Sequence, residues 1–157
     1  LIMYMKEGYS MLKVLFVCTG NTCRSPMAEA ILKSYELPNI EVRSAGVYAA
    51  AGHEASHFAK EVLEDHQIGH QHRSTTLSHH EVEWATHILT MTRSHAAIIK
   101  DLYPDESGKV YTLKEFLNGE EGYDVVDPYG GTKWHYEQTF NELSDLIAAL
   151  RNKLDIR

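Results

Sequence analysis

The stretch LKVLFVCTGNTCRSP, Leu12 to Pro26, limits the folds open to this chain more than any other feature. Leu12 to Val17 is a nearly continuous apolar run of β-forming residues, the signature of a strand buried on both faces in a parallel sheet. Gly20 and Asn21 then permit a tight turn, because glycine lacks a Cβ and asparagine tolerates left-handed backbone. Pro26 suits the opening of a helix, and in the following MAEAILKSYE the residues Met27, Ala30, Ile31 and Ser34 recur near one face. A strand, a turn and a helix in that order aim several backbone N–H groups at one point, with the positive helix terminus behind them. Such a concavity binds an oxyanion.

The rest of the chain repeats the alternation of strand and helix. Ile40 to Arg43, His87 to Met91 and Lys109 to Thr112 read as three further strands. Helices are expected from about Glu54 to Asp65, from a cap at Thr92 or Ser94 toward Leu102, and from about Lys133 to Leu154. The last would carry Phe140, Leu143, Leu146, Ile147 and Leu150 on its inner face. This order predicts an α/β fold with a parallel sheet. The 157 residues suit one domain, with no repeat, low-complexity tract or linker. The opening LIMYMKEGYS lacks a long apolar core and is read as an extension or cloning remnant ahead of Met11. Residues 1–10 are therefore set apart from a domain spanning 11–157.

Charge and cysteine count narrow the function classes. A formal charge of −7 offers no basic field to nucleic acid or anionic lipid, so neither is expected as a partner. No apolar run approaches the ~20 residues needed to span a bilayer. The two cysteines, Cys18 and Cys23, are too few and too close to frame a secreted disulfide fold, which points to a reducing, cytoplasmic setting.

Both cysteines lie in the anion-binding turn. Cys18 and Arg24 have the spacing C-x-x-x-x-x-R, which lets a thiolate and a guanidinium face one tetrahedral anion. The amide dipoles and helix terminus favour the thiolate, and Ser25 can donate a hydroxyl to the sulfur. A phosphocysteine formed this way still needs an acid and a base. Asp127, in DVVDPYGG, is the candidate, although Asp-Pro also commonly opens a turn. Cys23 has two readings of equal weight, a partner for a reversible disulfide with Cys18 and a small side chain packed beneath the loop.

These motifs resemble the low-molecular-weight protein tyrosine phosphatases. Their phosphate loop is matched by CTGNTCRS, Cys18 to Ser25, and their general-acid loop by DPYGG, Asp127 to Gly131, with VRSAGV and HILTMT between. The resemblance implies a four-stranded parallel sheet flanked by helices on both faces and a two-step mechanism without metal or cofactor. It makes Cys18 the nucleophile, Arg24 the phosphate clamp and Asp127 the acid and then the base. Thr19, Gly20, Asn21, Thr22, Cys23 and Ser25 would surround the phosphate, and Tyr129 would wall the substrate slot. Ser44 and His72, with Asn21, fall where the family keeps a supporting hydrogen-bond network.

Within the family the sequence looks most like the bacterial protein-arginine phosphatases, because Thr22 stands where tyrosine phosphatases usually carry an aliphatic residue, RSAGV follows, and the acid loop has Gly130 in place of a second tyrosine. Phosphorylated proteins are the implied partners, with phosphotyrosine the alternative substrate and a monomer or weak dimer the expected state. An arsenate reductase would need cysteines after Cys23, and none follows. A phosphate carrier has no use for Arg24 and Asp127 together, and a binding module would not retain all three reactive residues. Glu120, Glu121 and Asp124 are read as a solvated acidic cluster rather than as a site for a cationic leaving group. His66, His70, His72, His79 and His80 show no ligand spacing with matching cysteines or carboxylates, so no metal is expected.

Overall fold

The apolar run after Met11 forms β1 (Leu12–Cys18), an inner strand whose alternating residues feed two separate cores. The structure is a computed structural model and describes residues 11–118 and 124–154. The chain continues through α1 (Arg24–Ser34), β2 (Ile40–Gly46), α2 (His57–Asp65), α3 (His79–Trp84), β3 (His87–Thr90) and α4 (Arg93–Leu102). A 3-10 turn at Pro104–Lys109, β4 (Val110–Thr112), α5 (Leu113–Asn118) and the long α6 (Lys133–Leu154) complete it. The four strands lie in the order β2-β1-β3-β4, all parallel, with Cys18 opposite Gly46 and Val14 opposite both Val42 and His87.

Val14, Phe16 and Cys18 point to one face, where Met27, Leu32, Val62, Leu143, Ile147 and Leu150 from α1, α2 and α6 cover them. Leu15 and Val17 point to the other, against Val82 of α3 and Ala96 and Ile99 of α4. Helices therefore cover both faces, as expected.

The differences have local causes. Helix α1 begins at Arg24, two residues before the proline; Pro26 sits in the first turn, whose N–H groups have no helical partner to lose. It is buried continuously from Arg24 to Leu32 rather than along one stripe, because it packs between the sheet and α6. β2 runs three residues past Arg43, and α2 starts at His57 rather than Glu54. Thr92, not Ser94, caps α4 by accepting from the His95 N–H at 3.1 Å. The short α3 and α5, six residues each, were not predicted, being too brief to display helical periodicity. The boundary at Met11 lies at the edge of the description, and residues 1–10 fall outside it. Among the described residues no helix is long and apolar enough to cross a membrane.

Candidate active site

Cys18 ends β1 where the chain's pairings diverge, β2 to one side and β3 to the other. Open α/β sheets bind ligands at such a point, outside the carboxyl ends of the strands. The loop that follows is held from beneath by buried polar groups. Asn21 has φ +56° and donates from Nδ2 to Ser25 Oγ and Ser44 Oγ, both at 2.8 Å. Its Oδ1 accepts from the Thr75 N–H at 2.8 Å, and its carbonyl accepts from His72 Nε2 at 2.6 Å. Ser44 Oγ donates onward to Glu29 Oε1 at 2.6 Å.

Ser25 Oγ thus accepts from Asn21, leaving its own hydrogen to donate to Cys18 Sγ at 2.8 Å. A hydrogen bond to the sulfur favours its charged form. Gly46 backs the loop at close range, since a Cβ there would lie 2.5 Å from the Thr19 carbonyl oxygen and 2.9 Å from the Asn21 nitrogen. Only glycine allows that approach.

Arg24, 4% exposed, donates from Nη1 to the Val125 carbonyl at 3.0 Å, and its Nη2 lies 3.4 Å from Asp127 Oδ2. Its buried Nε has no hydrogen-bond partner among the described residues. An unpaired buried guanidinium N–H is costly, so its position beside the thiol fits a site completed by an anion. Cys18, Thr19, Gly20, Thr22, Cys23, Arg24, Asp127 and Tyr129 surround a cavity of about 220 Å³.

Asp127 opens a turn and also lines the cavity. Oδ1 accepts from the Tyr129 N–H at 3.1 Å and holds the turn, while Oδ2 faces Arg24. Tyr129 stands 79% exposed at the cavity edge. Cys23 is buried beneath the loop, donating to Ser56 Oγ at 3.5 Å with Tyr136 Oη at 3.4 Å. Burial, aided by that contact with Cys23, pushes the Tyr136 phenol up to about 12. Both cysteines are free thiols. Asp124 accepts from the Arg93 N–H at 2.9 Å, whereas Glu120 and Glu121 lie outside the described residues.

Two neighbours of the loop went unnoticed in the sequence. His95 Nε2 lies 2.8 Å from Thr19 Oγ1. Burial first, and the Arg24 charge second, lower its pKa to about 4, so it is neutral at pH 7. Glu29 anchors Ser44 from one turn along α1. No spacing signal marks either residue, because each meets the loop only through the fold.

Known proteins resemble this chain in sequence and fold. A model of the family described as low molecular weight phosphotyrosine protein phosphatase matches residues 13–156. A protein-arginine-phosphatase from Geobacillus stearothermophilus is 49% identical over 142 residues, covering 90% of this chain and 95% of that one. The low molecular weight protein-tyrosine-phosphatase PtpB of Staphylococcus aureus is 40% identical over 144 residues, covering 90% and 98%. A solved structure of a YwlE arginine phosphatase mutant with a phosphorylated active site serine matches with a TM-score of 0.88 at 43% identity, covering 91% of this chain and 95% of that one. With a family match along nearly its whole length and the cysteine loop at the end of an inner parallel strand, the chain belongs to the low molecular weight phosphotyrosine protein phosphatases.

Proposed function

We propose that this protein removes phosphate from phosphoarginine on proteins, through a phosphocysteine formed at Cys18. The observation that carries the chemistry is the unpaired, buried Nε of Arg24 in the cavity that Cys18 also lines. Nε and Nη2 together grip two phosphoryl oxygens, while the loop amides take the remaining charge. The thiolate lone pair then forms the S–P bond as the P–N bond breaks. The electrons leave on the guanidine nitrogen, which takes the proton held by Asp127.

In the second step a water oxygen attacks phosphorus and gives its proton to the Asp127 carboxylate. The P–S bond breaks, inorganic phosphate leaves, and Ser25 stabilises the returning thiolate from 2.8 Å. Arg24 and the amides balance the developing charge, so the cycle calls on no metal or cofactor. Thr19, Gly20, Asn21, Thr22 and Cys23 shape the cradle, Tyr129 its wall, and Ser44 and His72 its support. The phosphorylated active site serine of the related mutant structure is what a phosphoryl transfer to the loop nucleophile would leave behind.

Phosphotyrosine is the second reading, favoured by the 40% identical relative that bears a tyrosine phosphatase name. The exposed Tyr129 ring can stack on a guanidinium or a phenyl ring and does not separate the two. Two free, reactive-loop cysteines suit a reducing cytoplasm, and the −7 charge suits neither nucleic acid nor membrane. One shallow cavity suits a monomer or weak dimer. The deciding measurement compares kcat/KM for a phosphoarginine and a phosphotyrosine peptide, with chelator present and Cys18→Ser as control. A phosphoarginine preference is expected, and activity surviving in Cys18→Ser would remove the cysteine mechanism altogether.

A further inference from the structure

We propose that Glu29, His70 and His72 form a binding site for a divalent transition-metal ion of the zinc type, beneath the phosphate loop and separate from the thiol. The spacing of the histidines gave no such indication, because the carboxylate comes from α1. Glu29 Oε1 lies 3.8 Å from His70 Nε2 and 3.9 Å from His72 Nδ1, and the three ligand atoms all fall within 4.8 Å of one another. Two imidazoles and one carboxylate, with a fourth position left to water, are a donor set that zinc accepts. Bonds of ~2.0–2.2 Å need the three atoms drawn somewhat closer, which side-chain rotation on the irregular 68–75 segment can supply.

The geometry suits a cation there. His72 Nε2 meets the Asn21 carbonyl at 2.6 Å, and a carbonyl only accepts, so Nε2 carries the hydrogen. In neutral His72 the lone pair on Nδ1 therefore faces the Glu29 carboxylate. His70 offers a second nitrogen: its side chain is only 6% exposed, and its buried Nε2 has no hydrogen-bond partner among the described residues, so it is free to turn a lone pair toward the same point. Two lone pairs and a carboxylate oxygen then converge on one point. A metal ion satisfies all three at once.

The surroundings resemble those of a ligand set. The hydrogen bond from His72 to a backbone carbonyl is the outer contact that metal-bound histidines usually make. Ser44 Oγ orients Glu29 Oε1 from 2.6 Å. The opposing charge is Lys33, whose Nζ sits 2.5 Å from the other oxygen, Oε2, and leaves Oε1 to the ion. His70 and His72 line an open groove of about 650 Å³, so an ion can enter from solvent. Through His72 and Ser44 the site touches two of the four hydrogen-bond partners of Asn21.

Cobalt(II) titration of the metal-stripped full chain tests this directly, without relying on phosphatase activity. One equivalent should bind with the visible bands of a nitrogen- and oxygen-ligated centre, without a thiolate charge-transfer band, and zinc should displace it. His70→Ala should weaken binding by more than ~100-fold, since losing a direct ligand exceeds the loss of an outer-shell partner. Lys33→Met, which removes the competing charge on an exposed side chain, should tighten it. No binding, a thiolate signature, or the same affinity in both variants as in the parent would overturn the site. Equal unfolding midpoints of His70→Ala and parent in chelator will show that the variant is folded, and the spectrum of the parent decides the ligand type whatever the variant does.

Discussion

At the residue scale, Thr22 is the side chain placed to influence the choice of substrate. It borders the cavity beside Cys18 and Arg24, half-buried, while its carbonyl is tied to the Ser56 N–H at 2.8 Å. The backbone there is fixed, so a substitution changes the side chain facing the cavity without freeing the loop. Phosphoarginine presents a polar planar group next to phosphorus, and a hydroxyl can orient that group or a water where an aliphatic side chain cannot. Thr22→Ile removes the hydroxyl and adds apolar bulk suited to a phenyl ring. The ratio of kcat/KM for phosphoarginine over phosphotyrosine should fall by ~10–200-fold, the usual worth of one such contact. An unchanged ratio would mean that Thr22 does not set specificity. Its neighbour Cys23 is held differently, packed toward Ser56 and Tyr136, which agrees with the packing reading of that thiol.

At the element scale, the loop depends on a strand that does not carry the reactive residues. β2 runs to Gly46, directly opposite Cys18, and its last residue touches the backbone of Thr19 and Asn21. Gly46→Ala would force a Cβ into contacts of 2.5 to 2.9 Å with that backbone, so the loop must move. Overpacking of this kind costs ~1–3 kcal/mol, and a displacement of ~1 Å at the reacting groups can cost ~100-fold in rate. Urea unfolding and kcat/KM measured together check this, and parental values in both would show that the contact is unimportant. Nothing in the sequence singles out Gly46, because sequence spacing contains no information about which strand lies opposite. What spacing did reveal was local: the apolar run of β1, the cysteine and arginine that follow it, and the inner face of α6, where Phe140, Leu143, Ile147 and Leu150 are buried and Leu146 only partly so. Helix α3 carries a readable signal that went unused, the Ser78 and Glu81 capping box. Glu29, His70 and His95 matter only through contacts between distant segments, and no local pattern announces them.

At the scale of the whole molecule, the buried histidines tie stability to pH. His95 bridges α4 to the phosphate loop through Thr19, and its pKa is lowered from 6.5 to about 4. The lower folded value means that between pH 6.5 and 4 the unfolded chain binds a proton that the folded chain refuses. Stability from this group is therefore complete above pH 6.5, declines as pH falls toward 4, and is fully lost below it. The shift corresponds to about 3 kcal/mol at most. His70 and His87, whose values burial also lowers, act in the same direction. Carboxylates contribute as well, so the slope of the parent alone cannot be assigned to one group. His95→Gln keeps an amide that can reach Thr19 but removes the titration. Comparing urea midpoints at pH 7.5 and 4.5, the variant should lose less stability on acidification than the parent, by ~1–3 kcal/mol. Equal losses would place the acid sensitivity elsewhere. A smaller loss would mean that protonating one imidazole on α4, in contact with Thr19 of the phosphate loop, costs the whole fold stability, tying the helices on that face of the sheet to the anion site.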